Sequence, residues 1–192
     1  MRDVARFHQD AIRALSEAGA EAGAAAGPEE ALWVITHALP QLLGDRESHL
    51  QPGNLKDGEK QQFACCCFMV TPDRKHNLLV APVNFAPTQR HMRIDIGLGH
   101  PGHVVKTKQP MLLANTDTHK SFVKILETFR AGSGVFAPLM WGGEALGVII
   151  CASQARNTFN ETDLAVHVAF SHLAAAQWMA HAGPVYLGKL MG

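Results

Sequence analysis

The stretch Ile94–Thr107, IDIGLGHPGHVVKT, places three glycines, two histidines and one proline within fourteen residues. It separates a segment of alternating apolar and polar residues from the short apolar run MLLANT (111–116). We interpret it as a tight turn that starts a helix, because glycine permits the turn and Pro101 suits the first helical position. The segment GHVVKTKQ then supplies about two helical turns, and its first amides would favour an anionic or carbonyl-bearing ligand.

The glycine spacing in this stretch also raises the possibility of a nucleotide-binding loop. A P-loop is excluded, because no Gly-Lys-Ser/Thr ending follows the glycines. The spacing G-x-G-x-x-G of a dinucleotide fingerprint is present, but the flanking pattern is antiparallel and not a βαβ unit. We therefore reject both nucleotide-binding interpretations.

The two histidines of the stretch raise a third possibility, a metal site. Because His100 and His103 are three residues apart around a helix start, they can face one side. Two histidines with a carboxylate would suit iron or another divalent metal. Acidic or imidazole groups from neighbouring segments that could join them are Asp95, Asp117 and His119.

The composition limits the classes of function. Hydrophobic residues make up 47% of the 192 residues and charged residues 18%, which is typical of a globular protein. The formal net charge is zero and no segment concentrates Lys and Arg, so we predict no nucleic-acid partner. No apolar run has the length of a membrane span, and the N-terminal MRDVARFHQD lacks the apolar core of a signal peptide. We therefore expect a cytoplasmic protein without a membrane partner.

Helical patterns dominate both ends of the chain. Residues 1–18 predict an amphipathic helix, and the Ala/Gly-rich segment 17–27 predicts a linker or a continuation of that helix. A second helix begins at Pro28 and ends near Gly44, with Pro40 expected to kink or shorten it. The last helix has an N-cap at Asn160 and contains no Asp, Glu, Lys or Arg between Leu164 and Gly183, so we expect it to be covered on both sides.

The middle of the chain predicts strands. After a turn-rich loop at 45–62, FACCCFMV (63–70) and NLLVAPVNFA (77–86) predict an antiparallel hairpin. RHMRIDIG (90–97) and MLLANT predict a third and a fourth strand, and SGVFAPLM and ALGVIICAS flank a glycine turn as a second hairpin. Between them, SFVKILETFRAG (121–132) shows helical spacing of apolar residues and predicts a further helix.

Three stretches in this order resemble a GAF domain, a small-molecule sensory module related to PAS domains. They are IGLGHPGHVVKTKQPMLLANT, VFAPLMWGGEALGVIICAS and NTFNETDLAVHVAFSHLAAA. The resemblance implies an α+β fold with a central antiparallel sheet of about six strands and terminal helices on one face. Short helices and loops would cover a ligand pocket on the other face. We divide the chain into an N-terminal helix and linker (1–27), a GAF-like domain (28–182) and a C-terminal tail (183–192).

The resemblance also implies where a ligand binds. The pocket would hold a small organic ligand or a divalent metal, since some GAF domains bind non-haem iron. The metal ligands would be His100 and His103. The side chains and glycine expected around the ligand are Asp95, Gly99, His100, His103, Asn115, Asp117, His119 and Phe122.

The four cysteines form no disulfide framework and match no zinc spacing. A strand at FACCCFMV places Cys65 and Cys67 on one face and Cys66 on the other, and Cys151 can approach the first pair if the strands are neighbours. A redox sensor could use three of these thiols to detect oxidants: Cys65, Cys67 and Cys151. The free methionine sulfoxide reductases are GAF enzymes, but their catalytic cysteines lie around the pocket, where residues 97–119 of this chain contain none.

The sequence therefore predicts a non-enzymatic sensor that binds a small molecule in a GAF pocket. It would signal through its helical ends, within a homodimer or to a protein partner. The uncharged last helix and the N-terminal helix are the predicted dimer surface. A metal or redox sensor is the first alternative, and a reductase-like enzyme, with its cysteines misplaced, is the second.

Overall fold

The structure, a computed structural model that describes residues 3–192, contains one antiparallel sheet with helices on both faces. The helices are α1 (Val4–Gly23), α2 (Pro28–Leu42), α3 (Gly99–Thr107), α4 (Glu161–Ala180) and α5 (Gly183–Met191). The strands are β1 (Phe63–Val70), β2 (His76–Val83), β3 (Arg93–Asp95), β4 (Met111–Leu113), β5 (Ser133–Trp141) and β6 (Glu144–Ser153). The predicted α+β fold with a six-stranded antiparallel sheet is confirmed.

The sheet has the strand order β3-β2-β1-β6-β5-β4. Its centre is the pair β1 and β6, which explains why FACCCFMV and ALGVIICAS are almost continuously apolar: both faces of these strands are covered. The expected hairpins β1–β2 and β5–β6 are both present. The predicted third strand is shorter than its pattern, because only Arg93–Asp95 pairs with β2.

Four helices cover one face of the sheet. The α2 and α4 helices pack directly on the strands, and α1 lies over α2 and α4. The α4 helix starts at the expected N-cap, Asn160, which forms a capping box with Asp163: each side chain accepts a backbone N–H of the other residue. The α4 helix has the sheet below it and helices beside it, which accounts for its buried sides. An exposed uncharged stripe, which the helices of the described chain do not cover, is formed by Ala165, Ala169, His172 and Ala176.

The terminal segments decide between the alternatives left open by the sequence, and one of them differs from the expectation. Residues 17–23 continue α1, since Ala18 and Ala22 are buried in the helical layer. The α2 helix passes Pro40 and ends two residues later. Residues 183–191, expected in a tail, form α5. The predicted start of the first helix at residues 1 and 2 lies outside the described residues.

The predicted helix at 121–132 was wrong. This segment crosses the second face of the sheet without regular secondary structure. Its apolar side chains pack downward onto the sheet from an irregular backbone, and hydrogen bonds from other segments replace those of a helix. Tertiary contacts have therefore overridden a helical pattern of apolar residues.

No helix in residues 3–192 combines the length and the apolar character that crossing a membrane would need.

Candidate ligand pocket

The second face of the sheet carries a small apolar cavity of about 70 Å³. Its floor is formed by side chains of β1, β5 and β6, and one wall is formed by α3. The segment 119–131, which we call the roof, closes the top. The central lining residues are Cys66, Phe68, His100, Phe122, Leu126 and Phe136.

His100 is the polar side chain at the wall of this cavity, and it is only 7% exposed. Its ring centroid lies 5.9 Å from those of Phe122 and Phe136 and 5.8 Å from that of His119. Within residues 3–192 the ring makes no hydrogen bond to another residue, although a neutral imidazole offers one donor and one acceptor. Burial lowers the pKa of His100, and His119 and His103 lower it further, so the ring is neutral near pH 7.

The start of α3 lies beside His100, at the edge of an open cleft that adjoins the cavity. No side chain caps this helix start, because the N-cap residue is Leu98. The turn needs glycine at two points: Gly99 has a φ of 59°, and a Cβ on Gly102 would lie 2.4 Å from the Ile96 carbonyl oxygen. The sequence interpretation of this stretch as a turn that starts a helix is confirmed, but the helix begins at Gly99, so Pro101 is its third residue and not its first.

The structure brings five of the eight expected site residues together. Gly99, His100, His103 and His119 line the open cleft, and Phe122 lines the cavity. The other three, Asp95, Asn115 and Asp117, lie outside both linings. Asp95 accepts the Gly97 N–H at 2.8 Å, and Asn115 accepts the Asp117 N–H at 2.9 Å.

Asp117 belongs to an ion-pair network at one end of the sheet. Its carboxylate accepts the Arg156 Nε–H at 3.0 Å and lies 2.8 Å from the Lys56 ammonium nitrogen. The Lys56 hydrogen bond and the Arg156 pair lower the pKa of Asp117 to about 2. Arg156, 1% exposed, also pairs with Glu59 and thereby fastens the loop before β1 to the connection between β6 and α4.

The two-histidine, one-carboxylate metal site is therefore not assembled. His103 is exposed, and the carboxylate of Asp117 is held by cations. In the described part of the chain, no three His, Cys, Asp or Glu side chains are grouped as metal ligands.

The cysteines divide between the faces as the strand alternation predicts. Cys65 and Cys151 are cross-strand partners on the helix face with Cys67, whereas Cys66 faces the cavity. All four thiols are free and buried. Burial raises the pKa of Cys65, Cys66 and Cys67, so these thiols are poor nucleophiles near neutral pH.

Sequence reasoning missed the aromatic floor and the residue that holds the roof. The aromatic floor could have been found in part, because strand alternation places Cys66 and Phe68 on the same face of β1. Gln89, 1% exposed, had no local signal. Its amide donates to the Ile125 carbonyl at 2.8 Å and accepts the Glu127 N–H at 3.1 Å, so it holds the roof backbone at two points.

The fold agrees with the comparison to known families. The family model of the GAF domain matches residues 28–178, and the chain belongs to this family. Small-molecule sensing is the general role of such domains. A search of curated protein sequences gave no significant match.

Solved structures with this fold include both sensory domains and enzymes. The GAF domain of a phosphoenolpyruvate-protein phosphotransferase from Coxiella burnetii has 22% identity and a TM-score of 0.72, covering 93% of this chain and 97% of that one. A free methionine-R-sulfoxide reductase from Neisseria meningitidis, in complex with its substrate, has 15% identity and a TM-score of 0.70, covering 95% of each chain. At these identities the similarity shows the fold alone.

Proposed function

We propose that this chain is a non-enzymatic sensory domain that binds a small molecule between the sheet, α3 and the roof. The observation that carries the proposal is His100, a largely buried imidazole that makes no hydrogen bond to residues 3–192 and lies between the apolar cavity and the open cleft. Its ring nitrogens keep access to the cleft, so a ligand with a donor or acceptor could bond to them directly.

The lining indicates the chemistry of the ligand. An apolar portion would pack on the aromatic floor at Phe68 and Phe136, and a carbonyl or anionic group would meet His100 and the uncapped start of α3. A ligand portion that exceeds the cavity volume of about 70 Å³ would need the roof to move outward. The roof has no regular secondary structure and is therefore the part of the pocket that we expect to move.

The output would pass through the helical layer, to a second copy of the chain or to a protein partner. The four free thiols suit a reducing compartment, so we place the protein in the cytoplasm.

The second candidate is a reductase for a small oxidised metabolite, and one observation favours it. The structure of the N. meningitidis reductase has this fold over nearly the whole chain, and Cys66 faces the pocket here. Thiol catalysis requires a thiolate, however, and burial raises the pKa of Cys66. The sensory function therefore has the stronger support.

Native mass spectrometry of gently purified protein tests the sensory proposal. We expect an excess mass of a few hundred daltons that disappears on denaturation and is absent from the His100→Ala variant. His103→Ala is the matched control, because His103 is exposed at the rim, and it should retain the ligand. An iron-sized excess lost from both variants would favour the metal alternative, and no excess in any sample would contradict tight ligand binding.

An assay for reduction of free methionine-R-sulfoxide with dithiothreitol tests the enzyme candidate. We expect no turnover above the background without protein. Turnover that the Cys66→Ala variant loses would establish the reductase and overturn the non-enzymatic proposal.

A further inference from the structure

The only side-chain hydrogen bond that α5 makes within the described residues ends at a buried carboxylate. Tyr186 of α5 donates its hydroxyl to Glu29, which lies in the first turn of α2 and is 1% exposed. Gly183 lets the start of α5 lie against Trp178, since a Cβ there would be 2.2 Å from the indole ring. The helix is joined to α4 through Ala182, which has a left-handed backbone conformation.

Glu29 receives four further hydrogen bonds, and three of them come from the connection between β2 and β3. Arg90 donates to both carboxylate oxygens at 3.1 and 2.9 Å, and His91 donates to one at 2.9 Å. The fourth comes from the Ala81 N–H at 3.2 Å. Burial alone would raise the pKa of Glu29, but these donors and Tyr186 more than offset it and lower the pKa to about 2. The Glu29 carboxylate is therefore charged, and its two oxygens together accept five hydrogen bonds.

The residue before Arg90 is Gln89, which holds the roof. The segment 89–91 thus makes side-chain contacts in two directions: Gln89 to the roof at Ile125 and Glu127, and Arg90 and His91 to Glu29. This segment is itself held in place. His91 donates its N–H to the Leu79 carbonyl at 2.9 Å, and the Arg90 guanidinium lies 4.5 Å from the Trp33 ring centroid.

The geometry points to Glu29 as a latch that couples the position of the roof to the docking of α5, through Gln89, Arg90 and His91. When the roof moves outward, Gln89 loses or shifts its two hydrogen bonds, and the neighbouring Arg90 and His91 shift at Glu29. The hydrogen bond from Tyr186 to Glu29 is then weakened, and α5 is released from the helical layer. The role of this coupling in signalling rests on the proposed function, but the coupling itself is measurable without a ligand.

Hydrogen exchange of the full chain tests the latch, because coupling between two sites must be reciprocal. Gln89→Met keeps the size of the side chain and removes both roof bonds. We expect the α5 amides at residues 185–191 to exchange at least about fivefold faster in this variant, the lower end of typical coupling. Tyr186→Phe keeps the ring against Trp178 and removes the hydroxyl. We expect the Glu127 amide to exchange faster by a similar factor.

Thr128→Val is the matched control. It removes a different roof bond, from the Thr128 hydroxyl to the Asn84 carbonyl at 2.8 Å, and leaves Gln89 in place. Roof amides should exchange faster in this variant, while the α5 amides keep the rate of the unmodified chain. Equal acceleration of α5 by Gln89→Met and Thr128→Val would show general loosening and overturn the latch.

A double-mutant cycle assigns the coupling to Glu29. In the Glu29→Gln background, Gln89→Met should no longer change the exchange of α5. If Glu29→Gln does not fold, Arg90→Lys serves instead, because it keeps the charge but loses the paired contact with both oxygens. An effect of Gln89→Met that persists unchanged in these backgrounds would overturn the assignment. A failed latch with ligand still retained in native mass spectra would leave the sensory function standing.

Discussion

The two faces of the central sheet present similar strand residues but meet different neighbours. On the helix face, Cys65, Cys67 and Cys151 lie under α2 and α4 among fully buried aliphatic side chains. On the pocket face, Cys66 and two phenylalanines lie under an irregular roof with a cavity between them. One face is closed by four helices, and the other is closed by the short helix α3 and by a segment that Gln89 and a few further contacts hold in place.

One buried histidine on each face illustrates the difference between the tightly packed helix face and the pocket face. His167 of α4 is fully buried and its Nε2 bonds to the Ile149 carbonyl at 3.0 Å. The His100 ring has no hydrogen-bond partner in residues 3–192 and borders the cavity. The first histidine is part of the packing between helix and sheet. The His167 Nδ1 also lacks a partner in residues 3–192, but it is fully buried in that packing, whereas the His100 nitrogens keep access to the cleft and can meet a ligand.

The largest effect should come from cavity formation on the helix face. Leu39→Ala removes a fully buried side chain of α2, and we expect a loss of about 2–5 kcal/mol in the free energy of unfolding. Leu126→Ala on the roof should cost less, because an irregular segment can relax into the space. Urea denaturation of both variants measures this difference.

The matched control for these leucines is Leu50→Ala, because Leu50 is 69% exposed. Its effect should lie within about 0.5 kcal/mol. If Leu126→Ala costs as much as Leu39→Ala, the roof is as rigid as the helical layer and the contrast between the faces fails.

The next effect is a pH dependence of stability that arises mainly on the helix face. Burial lowers the pKa of His167 from 6.5 to about 4, so the folded chain holds this ring neutral. As the pH falls from 6.5 to 4, the unfolded chain binds the proton first and stability falls, by about 3 kcal/mol over the interval. We expect His167→Gln to reduce this loss, measured by urea denaturation at pH 7, 5.5 and 4.

His100→Gln provides the comparison from the pocket face. The pKa of His100 is also lowered by burial, so its contribution has the same sign. Because the ring borders a cavity and not a packed layer, we expect this variant to change the pH dependence less than His167→Gln. An equal or larger change would mean that the pocket face is as strongly desolvated as the helix face.

The fold could be predicted from the sequence where pattern and burial agree. The apolar run FACCCFMV, the glycine turn before α3 and the N-cap at Asn160 each determine a local structure with little outside help. The segment 121–132 shows the limit. Its apolar spacing is helical, but Gln89, more than thirty residues away, supplies backbone bonds that only the folded chain brings near.

The candidate site could be predicted only where it lies on the glycine turn. His100, Gly99 and Phe122 were anticipated, whereas Phe68 and Phe136 come from separate strands that meet only after the sheet has formed. The acidic residues near the turn were assigned by proximity in sequence. In the structure, Asp117 pairs instead with Arg156. This pair could not be inferred from local spacing, because the two residues are far apart in the sequence.

The smallest effect, and the most direct test of the contrast, is thiol labelling of the folded chain. In four single-cysteine variants, with the other three replaced by alanine, we expect Cys66 to react at least about tenfold faster than Cys65, Cys67 or Cys151. Such a ratio corresponds to an opening free energy lower by about 1.4 kcal/mol. The physical reason is that Cys66 needs only the roof to open, whereas the other three need the helices to separate from the sheet.

Urea provides the control for this labelling, with each rate divided by that of the same thiol in the unfolded chain. Opening of the roof exposes little surface, so the Cys66 rate should depend weakly on urea, while the other three should follow global unfolding. Gln89→Met should accelerate Cys66 and leave Cys65 unchanged, because it releases the roof and not the helices. Four equal rates with equal urea dependence would mean that both faces open together, and the pocket face would then have no mobility of its own with which to admit a ligand.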